Sequence, residues 1–195
     1  MKISFCIPGK EFTGRFLECW TNLIDYLNTN NIDFALCRRY HPNIYRVRQE
    51  CLRIAKQFKP DYYMWIDSDM IFKPKDFEFL LENKDKGIVS GLYLQPEGVS
   101  INDIPIYYAC FTEGQNRLLT SQMFSQKELF KVRANGMGWM LVDKNIFEKI
   151  EAPFDQTYSG VSEDVMFQDK ASKLGFNSWV DPRIRLGHEK SVILN

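Results

Sequence analysis

The first third of the chain alternates short apolar runs with segments of helical periodicity. Apolar residues dominate positions 2–7 and fill positions 34–37, and runs of this length are typical of strands. Over 16–27 and 44–58, apolar side chains recur at steps of three and four residues, as on one face of a helix. A third run, Tyr62–Ile66, is too short for a helix and is apolar or aromatic throughout, which is typical of a strand covered on both faces.

This βαβαβ order predicts an α/β fold with a mostly parallel central sheet, helices on its faces and ligands at the carboxyl ends of its strands. The rest of the chain is less regular. We predict strands at 87–94, 105–111, 138–142 and 178–180, helices at 143–150 and 163–174, a polar stretch over 112–131, and a basic tail without regular elements after Pro182. No repeat or linker divides the sequence, so we expect a single domain over 1–195.

The amino-acid composition argues against several classes of protein. The 25 Lys and Arg residues balance 25 Asp and Glu residues, so the chain lacks the basic excess of duplex nucleic-acid binders. No apolar run approaches the ~18 residues that a membrane span needs, and the N-terminus has no secretory signal, so we expect a soluble, cytoplasmic protein without a membrane span. The five cysteines are odd in number and lack a C-x-x-C pair, so we expect reduced core residues rather than disulfides or a zinc site.

Two aspartates, Asp67 and Asp69, directly follow the third strand. In an extended segment, residues two apart point to the same side, here toward the crevice that a parallel sheet opens. Carboxylate oxygens suit Mg²⁺ or Mn²⁺, and a cation with few protein ligands completes its shell with water and substrate phosphates. Asp-Ser-Asp is also ordinary turn chemistry, but its position after a buried strand favours a nucleotide diphosphate site.

Several segments together resemble small, family-2-like glycosyltransferases with the GT-A fold. Residues 63–72 with Pro74 resemble their D-x-D segment, and the later motifs follow in the same order at 135–142, 153–154, 162–167, 175–176, 180–182 and 187–188. The resemblance covers about residues 2–190. It implies a Rossmann-like GT-A fold, a nucleotide diphosphate sugar donor, a carbohydrate or other hydroxyl acceptor, and Mn²⁺ or Mg²⁺. The nucleotide would bind the half formed by 1–95, and the acceptor would bind the half formed by 96–195.

The resemblance also implies roles for the charged residues. Asp69 and His188 would hold the metal, and Asp67 would bind the ribose, a metal-bound water or the metal itself. Asp164 would be the general base of an inverting transfer and Glu163 would lie near a sugar, although these two roles could be exchanged. Acids at a helix start also stabilise the helix dipole, and a lone histidine is often an ordinary surface residue, so both structural alternatives stay open.

Four more positions are candidates for donor binding. Pro8 ends the first strand and would lie beside the nucleotide. Arg48 falls at the edge of the apolar stripe of the second helix, so it either reaches the crevice to bind a phosphate or base, or is a solvated charge. Gly136 and Gly138 flank Met137 before a strand, where they allow close approach to the donor sugar or serve a tight turn.

Two other functions stay open. A sugar nucleotidyltransferase would need a glycine-rich, basic loop after the first strand, and Pro8-Gly9-Lys10 is poor in glycine. A non-catalytic carbohydrate- or nucleotide-binding relative is expected to lose one acidic pair, and both pairs are present. Other side chains could stack on sugars or pack in the core, namely Tyr93, Tyr107, Tyr108, Trp139 and Tyr158, and basic ones could neutralise a leaving diphosphate or be solvated, namely Arg183, Arg185 and Lys190.

Overall fold

A layered α/β arrangement organises the chain. The structure is a computed structural model that describes residues 1–94, 100–101, 104–112, 118–120, 128–155 and 160–189, with the backbone alone between 100 and 120. The described strands are β1 Lys2–Pro8, β2 Asp33–Arg39, β3 Tyr62–Ile66, β4 Met70–Ile71, β5 Ile88–Leu92, β6 Ser100–Ile101, β7 Ile104–Thr112, β8 Leu118–Thr120, β9 Phe130–Ala134, β10 Trp139–Asp143, β11 Ser178–Arg185 and β12 Gly187–His188. The described helices are α1 Gly14–Thr29, α2 Ile44–Ala55, α3 Pro74–Glu82, α4 Lys144–Lys149 and α5 Glu163–Lys173.

Local signals explain where the first helix begins and what it buries. The Thr13 hydroxyl accepts a hydrogen bond from the backbone N–H of Phe16 at 3.1 Å, which satisfies one of the free amides of the first turn. Phe16, Leu23 and Leu27 then form the buried stripe that the spacing predicts. The predicted βαβαβ order is confirmed by β1, α1, β2, α2 and β3.

The central sheet is mixed but mostly parallel, as predicted. Its strands follow the order β2-β1-β3-β10-β5-β11-β9, with β7 and β6 beyond β9. In this seven-strand series β2, β1, β3, β5 and β11 share one direction, while β10 and β9 run the opposite way. The carboxyl ends of the five parallel strands therefore lie along one edge of the sheet.

Strand β10 is inserted between two parallel strands. It pairs antiparallel with β3, where Trp139 lies opposite Ile66, and antiparallel with β5. Because it runs against its neighbours, β10 begins at the edge where β3 ends. The Asp67 backbone N–H donates to the Gly138 carbonyl at 3.0 Å across this junction. The two sequence motifs around these residues are thus joined by the strand order.

Each face of the sheet has its own apolar core. On one face, α1 and α3 pack over the first strands, with Phe5, Leu23 and Phe77 fully buried. On the other face, α2, α4 and α5 pack around Trp65 and Phe147, which are also buried. The four cysteines whose side chains are described are free thiols. None of the described helices is long and apolar enough to span a membrane.

The structure adds one element to the sequence prediction and corrects two others. No element was assigned to 73–86, where α3 begins at Pro74 and the Asp76 carboxylate accepts from the Lys73 backbone N–H at 2.8 Å. The polar stretch over 112–131 overlaps the start of β9, whose charged residues alternate with buried ones. The tail after Pro182 is regular because β11 continues to Arg185 and β12 pairs with β4.

Candidate active site

The predicted crevice exists at the carboxyl ends of β1 and β3. A cavity of about 240 Å³ opens there, lined by Pro8, Asp67 and Asp69 together with side chains from the start of α2, including Ile44 and Val47. The structure therefore brings together one predicted nucleotide-binding position and both aspartates of the Asp-Ser-Asp motif. The location agrees with the rule that open α/β sheets bind ligands at this edge.

The Asp-Ser-Asp segment is a turn and not an extended strand. The Met70 backbone N–H donates to the Asp67 carbonyl at 3.2 Å, because the chain must reverse between β3 and β4. Ser68 packs against Gly9 so tightly that a Cβ at Gly9 would lie 2.5 Å from the Ser68 Cβ. The segment is therefore not extended as expected, although the two carboxylates do meet at the crevice. Both line the same cavity, but each has its own partner.

Asp67 is paired with Arg48, which also reaches the second acidic motif. The Arg48 Nη2 donates to Asp67 Oδ1 at 3.1 Å, and its Nε donates to Glu163 Oε1 at 2.7 Å. The Arg48 side chain is 3% exposed and its guanidinium lies 5.6 Å from the Trp65 ring centroid. One buried arginine thus joins β3, α2 and α5.

The charges around Arg48 oppose the effect of burial. Burial raises the pKa of the Asp67 carboxyl, and the Arg48 guanidinium acts in the opposite direction by stabilising the carboxylate. The pKa of Arg48 is raised by the two carboxylates, which outweigh the cost of burying its charge. The guanidinium therefore stays protonated and holds both acids in place.

Asp69 faces His188, which the sequence analysis placed beyond every regular element. That placement is wrong, because β12 pairs antiparallel with β4 and sets His188 opposite Met70. The His188 Nε2 lies 3.4 Å from Asp69 Oδ2, and its Nδ1 lies 2.9 Å from the Leu94 carbonyl oxygen. A carbonyl only accepts, so Nδ1 carries the proton in this hydrogen bond, and Nε2 is the ring nitrogen that faces Asp69.

Asp69 and His188 are two residues that could bind a metal ion. A metal-ligating histidine usually donates its second ring N–H to a carbonyl or carboxylate, and His188 makes a hydrogen bond of this kind. Within the part of the chain that the structure describes, no group of three or more His, Cys, Asp or Glu side chains is arranged to hold an ion. Two protein ligands suit a hard cation that takes its remaining oxygens from water and phosphates. Asp67 lines the same cavity as Asp69, and its Oδ1 accepts from Arg48 Nη2.

Asp164 lies at the start of α5 beside Glu163. Its Oδ1 accepts from the Ser162 hydroxyl and, at 2.8 Å, from the Val165 backbone N–H. The side chain is buried, and this burial, with the neighbouring Glu163, raises the pKa of Asp164 to about 6. Ser162 does precede the helix, but its hydroxyl bonds this carboxylate and not the free amides of the first turn.

Two contacts that the sequence analysis missed position α5. The Tyr45 hydroxyl donates to the Val161 carbonyl at 2.6 Å, which ties α2 to the turn before α5. The Gln168 amide accepts from the Asn135 backbone N–H at 3.0 Å and donates to the Asn135 carbonyl at 2.6 Å. Single polar residues carry no periodic signal, so no pattern could have identified these partners.

Gly138 is a second position of close backbone approach in the site. Its N–H donates to the hydroxyl of buried Tyr93 at 2.9 Å. A Cβ at this position would lie 2.8 Å from the Tyr93 hydroxyl and 3.1 Å from Asp67 Oδ2. Gly136 is also buried. The requirement for glycine at 138 therefore comes from Tyr93 and Asp67, whatever the donor contributes.

We expect Gly138→Ala to destabilise the protein by about 1–3 kcal/mol, since the added methyl must displace the Tyr93 hydroxyl. Urea denaturation would measure the change. Gly14→Ala is the matched control, because nothing lies within 4 Å of its added Cβ at the first position of α1, and alanine favours helix there. Equal stability of Gly138→Ala and the wild type would contradict the tight packing described here.

The aromatic and basic candidates differ in burial and in charge pairing. Trp139 and Tyr93 are core residues, the latter edge-on to the His188 ring at 5.3 Å. Arg183 is paired with Asp181 and Glu82. Arg185 is exposed at the end of β11. Four candidates lie outside the described residues or have undescribed side chains, namely Tyr107, Tyr108, Tyr158 and Lys190.

Comparison with known proteins bears on the fold. No protein family profile matches the chain, and no curated protein sequence matches it. Among solved structures it is similar to A197 from STIV, with a TM-score of 0.60 and 17% identity over 100% of this chain and 97% of that chain. It is also similar to GalNAc-T7, crystallised with UDP, GalNAc and Mn²⁺, with a TM-score of 0.63 and 12% identity over 98% of this chain. The chain spans 44% of that GalNAc-T7 chain. At these identities the likeness establishes the fold alone, and that fold is the GT-A fold of glycosyltransferases.

Proposed function

We propose that the protein is a glycosyltransferase that moves a sugar from a nucleotide diphosphate sugar to a hydroxyl acceptor. The observation that carries the proposal is the pairing of β12 with β4, which sets His188 beside Asp69 at the same edge as Asp67. The acidic pair at the start of α5 is joined to this edge through Arg48. The likeness to GalNAc-T7, whose crystal holds UDP and Mn²⁺, supports the same assignment.

Asp69 and His188 are the residues that would hold Mn²⁺ or Mg²⁺. The metal would neutralise the diphosphate as it leaves the sugar. The hydrogen bond from His188 Nδ1 to the Leu94 carbonyl fixes the tautomer and the ring orientation that a ligand needs. Pro8 borders the cavity where the nucleotide would lie, and Gly136 and Gly138 leave room for the donor sugar beside Asp67.

Asp164 is the better general base of the two acids. Glu163 Oε1 already accepts a charge-assisted hydrogen bond from Arg48 Nε at 2.7 Å. Both hydrogen bonds of the Asp164 carboxylate go to Oδ1, so Oδ2 is the atom that accepts the proton of the acceptor hydroxyl. A single base acting directly on the acceptor corresponds to inversion at the sugar.

Arg48 acts here as a positioning residue. Its guanidinium donates to both carboxylates through Nε and Nη2, while the buried Nη1 has no hydrogen-bond partner among the described residues. Holding Asp67 and Glu163 fixes the end of β3 relative to the start of α5, and hence the donor position relative to the base. The phosphate or base contact expected from the sequence stays a prediction, and Nη1 is the donor available for it.

The nucleotidyltransferase alternative finds no support in the segment after β1. The Gly9 backbone N–H donates to the Arg39 carbonyl at 2.9 Å, and the Arg38 Nη2 donates to the Lys10 carbonyl at 2.8 Å. These bonds tie the segment to β2, whereas a phosphate-binding loop needs free amides. The non-catalytic alternative is separated from the proposal by the transfer assay with Asp164 variants described in the Discussion.

We expect Asp69→Asn and His188→Ala each to weaken Mn²⁺-dependent binding of uridine or guanosine diphosphate by about 10–100-fold. Calorimetry with Mn²⁺, and again with a chelator, would measure it. Asp25→Asn is the control, since this exposed α1 carboxylate is remote from the cavity lining and its loss changes the net charge equally. Wild-type affinity of Asp69→Asn in Mn²⁺ would refute the metal site and, with it, the proposed donor chemistry.

A further inference from the structure

A second and larger cleft lies beside the candidate active site. It encloses about 700 Å³ between the outer face of α1, the β4–α3 junction and the end of β11. This volume is in the range of small-molecule sites. The cleft is lined by Ile71 and Gly187, which pair with each other in the β4–β12 ribbon. His188 directly follows Gly187 in β12, so the cleft adjoins the proposed metal ligands.

Three cationic side chains from three separate elements line this cleft. Arg15 comes from α1, Lys73 precedes α3, and Arg185 ends β11, and all three residues are exposed. Over the described residues, none of the three is in an ion pair with a carboxylate. Arg183, a fourth cation in the cleft, is by contrast paired with Asp181 and Glu82. The fold thus neutralises one arginine and leaves three cations facing the same space.

Two carboxylates line the cleft against these three cations, which leaves an excess of one positive charge. Asp76 accepts from the Lys73 backbone N–H at 2.8 Å and so caps α3. Glu18 is the other acid among the lining residues. In a chain with no net charge, such a local positive excess creates a potential that attracts anions. Arginine forks bind phosphate and carboxylate groups by paired, charge-assisted hydrogen bonds.

We propose that this cleft binds an anionic group, a phosphate or a carboxylate, carried by the acceptor. The inference rests on the proposed function, because the acceptor role follows from the position of the cleft next to the metal ligands. An acceptor held by its charged group at Arg15, Lys73 and Arg185 would be anchored beside the reacting sugar. None of these cations is assigned to the metal or the base, and Arg185 alone was also considered for the leaving diphosphate.

The test uses sugars as probes of the two possible charged groups. Glucose 6-phosphate represents a phosphorylated acceptor, glucuronate represents a carboxylated one, and glucose is the neutral reference. Binding is measured by calorimetry in chelator, at low and moderate salt, to the wild type and to the triple variant Arg15→Gln, Lys73→Gln, Arg185→Gln. The control triple, Arg46→Gln, Lys84→Gln, Lys173→Gln, removes the same charge from exposed positions outside the cleft.

We expect salt-sensitive binding of at least one charged sugar, no binding of glucose, and a loss of at least about tenfold in affinity for the cleft triple alone. The probe that binds identifies the group as phosphate or carboxylate. An equal loss of sugar affinity in the cleft triple variant and in the control triple variant would overturn the proposal. Failure of both charged sugars to bind the wild type would also overturn it. Loss of binding in Asp69→Asn would also overturn it, because the anion would then lie at the metal ligands.

Failure of the proposed function is distinguishable from failure of this inference. Metal-dependent nucleotide binding is measured separately and does not involve the cleft cations. Cleft-specific sugar binding without any metal-dependent nucleotide binding would leave an anion site but overturn its assignment to an acceptor. Nucleotide binding that is intact while both charged sugars fail to bind would overturn the cleft proposal alone.

Discussion

Replacement of Asp164 by asparagine is expected to slow sugar transfer by about 10²–10⁴-fold, which is the usual contribution of a positioned base. Asparagine keeps the acceptor oxygen for the Ser162 hydroxyl and the Val165 N–H but cannot take a proton. Donor and metal binding should stay at the wild-type level, since neither involves this side chain in our assignment. Steady-state transfer kinetics combined with nucleotide calorimetry would separate the two effects.

The same substitution should leave the melting temperature unchanged or raise it. Burial raises the pKa of Asp164 from 3.8 to about 6, so the folded state holds its proton where the unfolded chain has lost it. Stability from this group therefore falls as pH rises from about 4 to about 6. At neutral pH the buried charge opposes folding by on the order of 2–3 kcal/mol, and asparagine removes that charge.

The pH dependence of kcat/KM in the wild type should show the titration of Asp164. We expect kcat/KM to fall below about pH 6, where Asp164 becomes protonated in the free enzyme, and to level off above it. Asp169→Asn is the matched control on α5, because this partly exposed carboxylate pairs with Arg133 at the helix surface. A fully active Asp164→Asn protein with a lowered melting temperature would assign Asp164 to helix stabilisation and make Glu163 the next base to test.

Arg48→Met is expected to destabilise the fold by about 3–5 kcal/mol, the typical effect of leaving buried charges without their partner. Methionine fills a similar volume beside Trp65 but leaves Asp67 and Glu163 without a counter-ion in the interior. Chemical denaturation would measure the loss. It should shrink as pH is lowered, because both carboxylates can then be neutralised by protonation.

Two comparisons make this expectation specific. Arg53→Met, on the same helix, removes an exposed arginine paired with Glu50 and should change stability by less than about 1 kcal/mol. Adding Asp67→Asn and Glu163→Gln to Arg48→Met should recover part of the loss, since no unpaired charge is left buried. A single variant as stable as Arg53→Met would show that the two carboxylates do not depend on Arg48.

The elements that a sequence can predict are those set by local periodicity. The segment Tyr62–Ile66 was predicted with the bounds of β3 because a short, wholly apolar run has one favourable environment, the interior of a sheet. The apolar stripe over 44–58 predicts α2, which ends at Ala55, and Arg48, predicted at the edge of that stripe, is buried within it. The order of these elements then predicts the sheet edge at which the cavity lies.

Long-range pairing has no such local signature. The run at Trp139–Asp143 indicates a strand, but nothing in it specifies a place between β3 and β5 or an antiparallel direction. Likewise, Gly187–His188 is too short for any periodic signal, so its pairing with β4 was missed. The sequence analysis considered Arg48 as a residue that binds a phosphate or base. The sequence does not show that Glu163, 115 residues later, lies beside it.

The wide sequence separation of the site residues has a consequence for folding. Arg48 and Glu163 meet across 115 residues, and Thr13 donates to Glu189 across 176 residues next to His188. Closing such long loops requires a large loss of chain entropy, so these contacts are expected to form late, after the local helices and hairpins. An intermediate that lacked only the β4–β12 pairing would retain most of its secondary structure but lack the proposed metal ligands Asp69 and His188 as a pair. Metal-dependent nucleotide binding during refolding would therefore report completion of the fold, while circular dichroism would report its earlier stages.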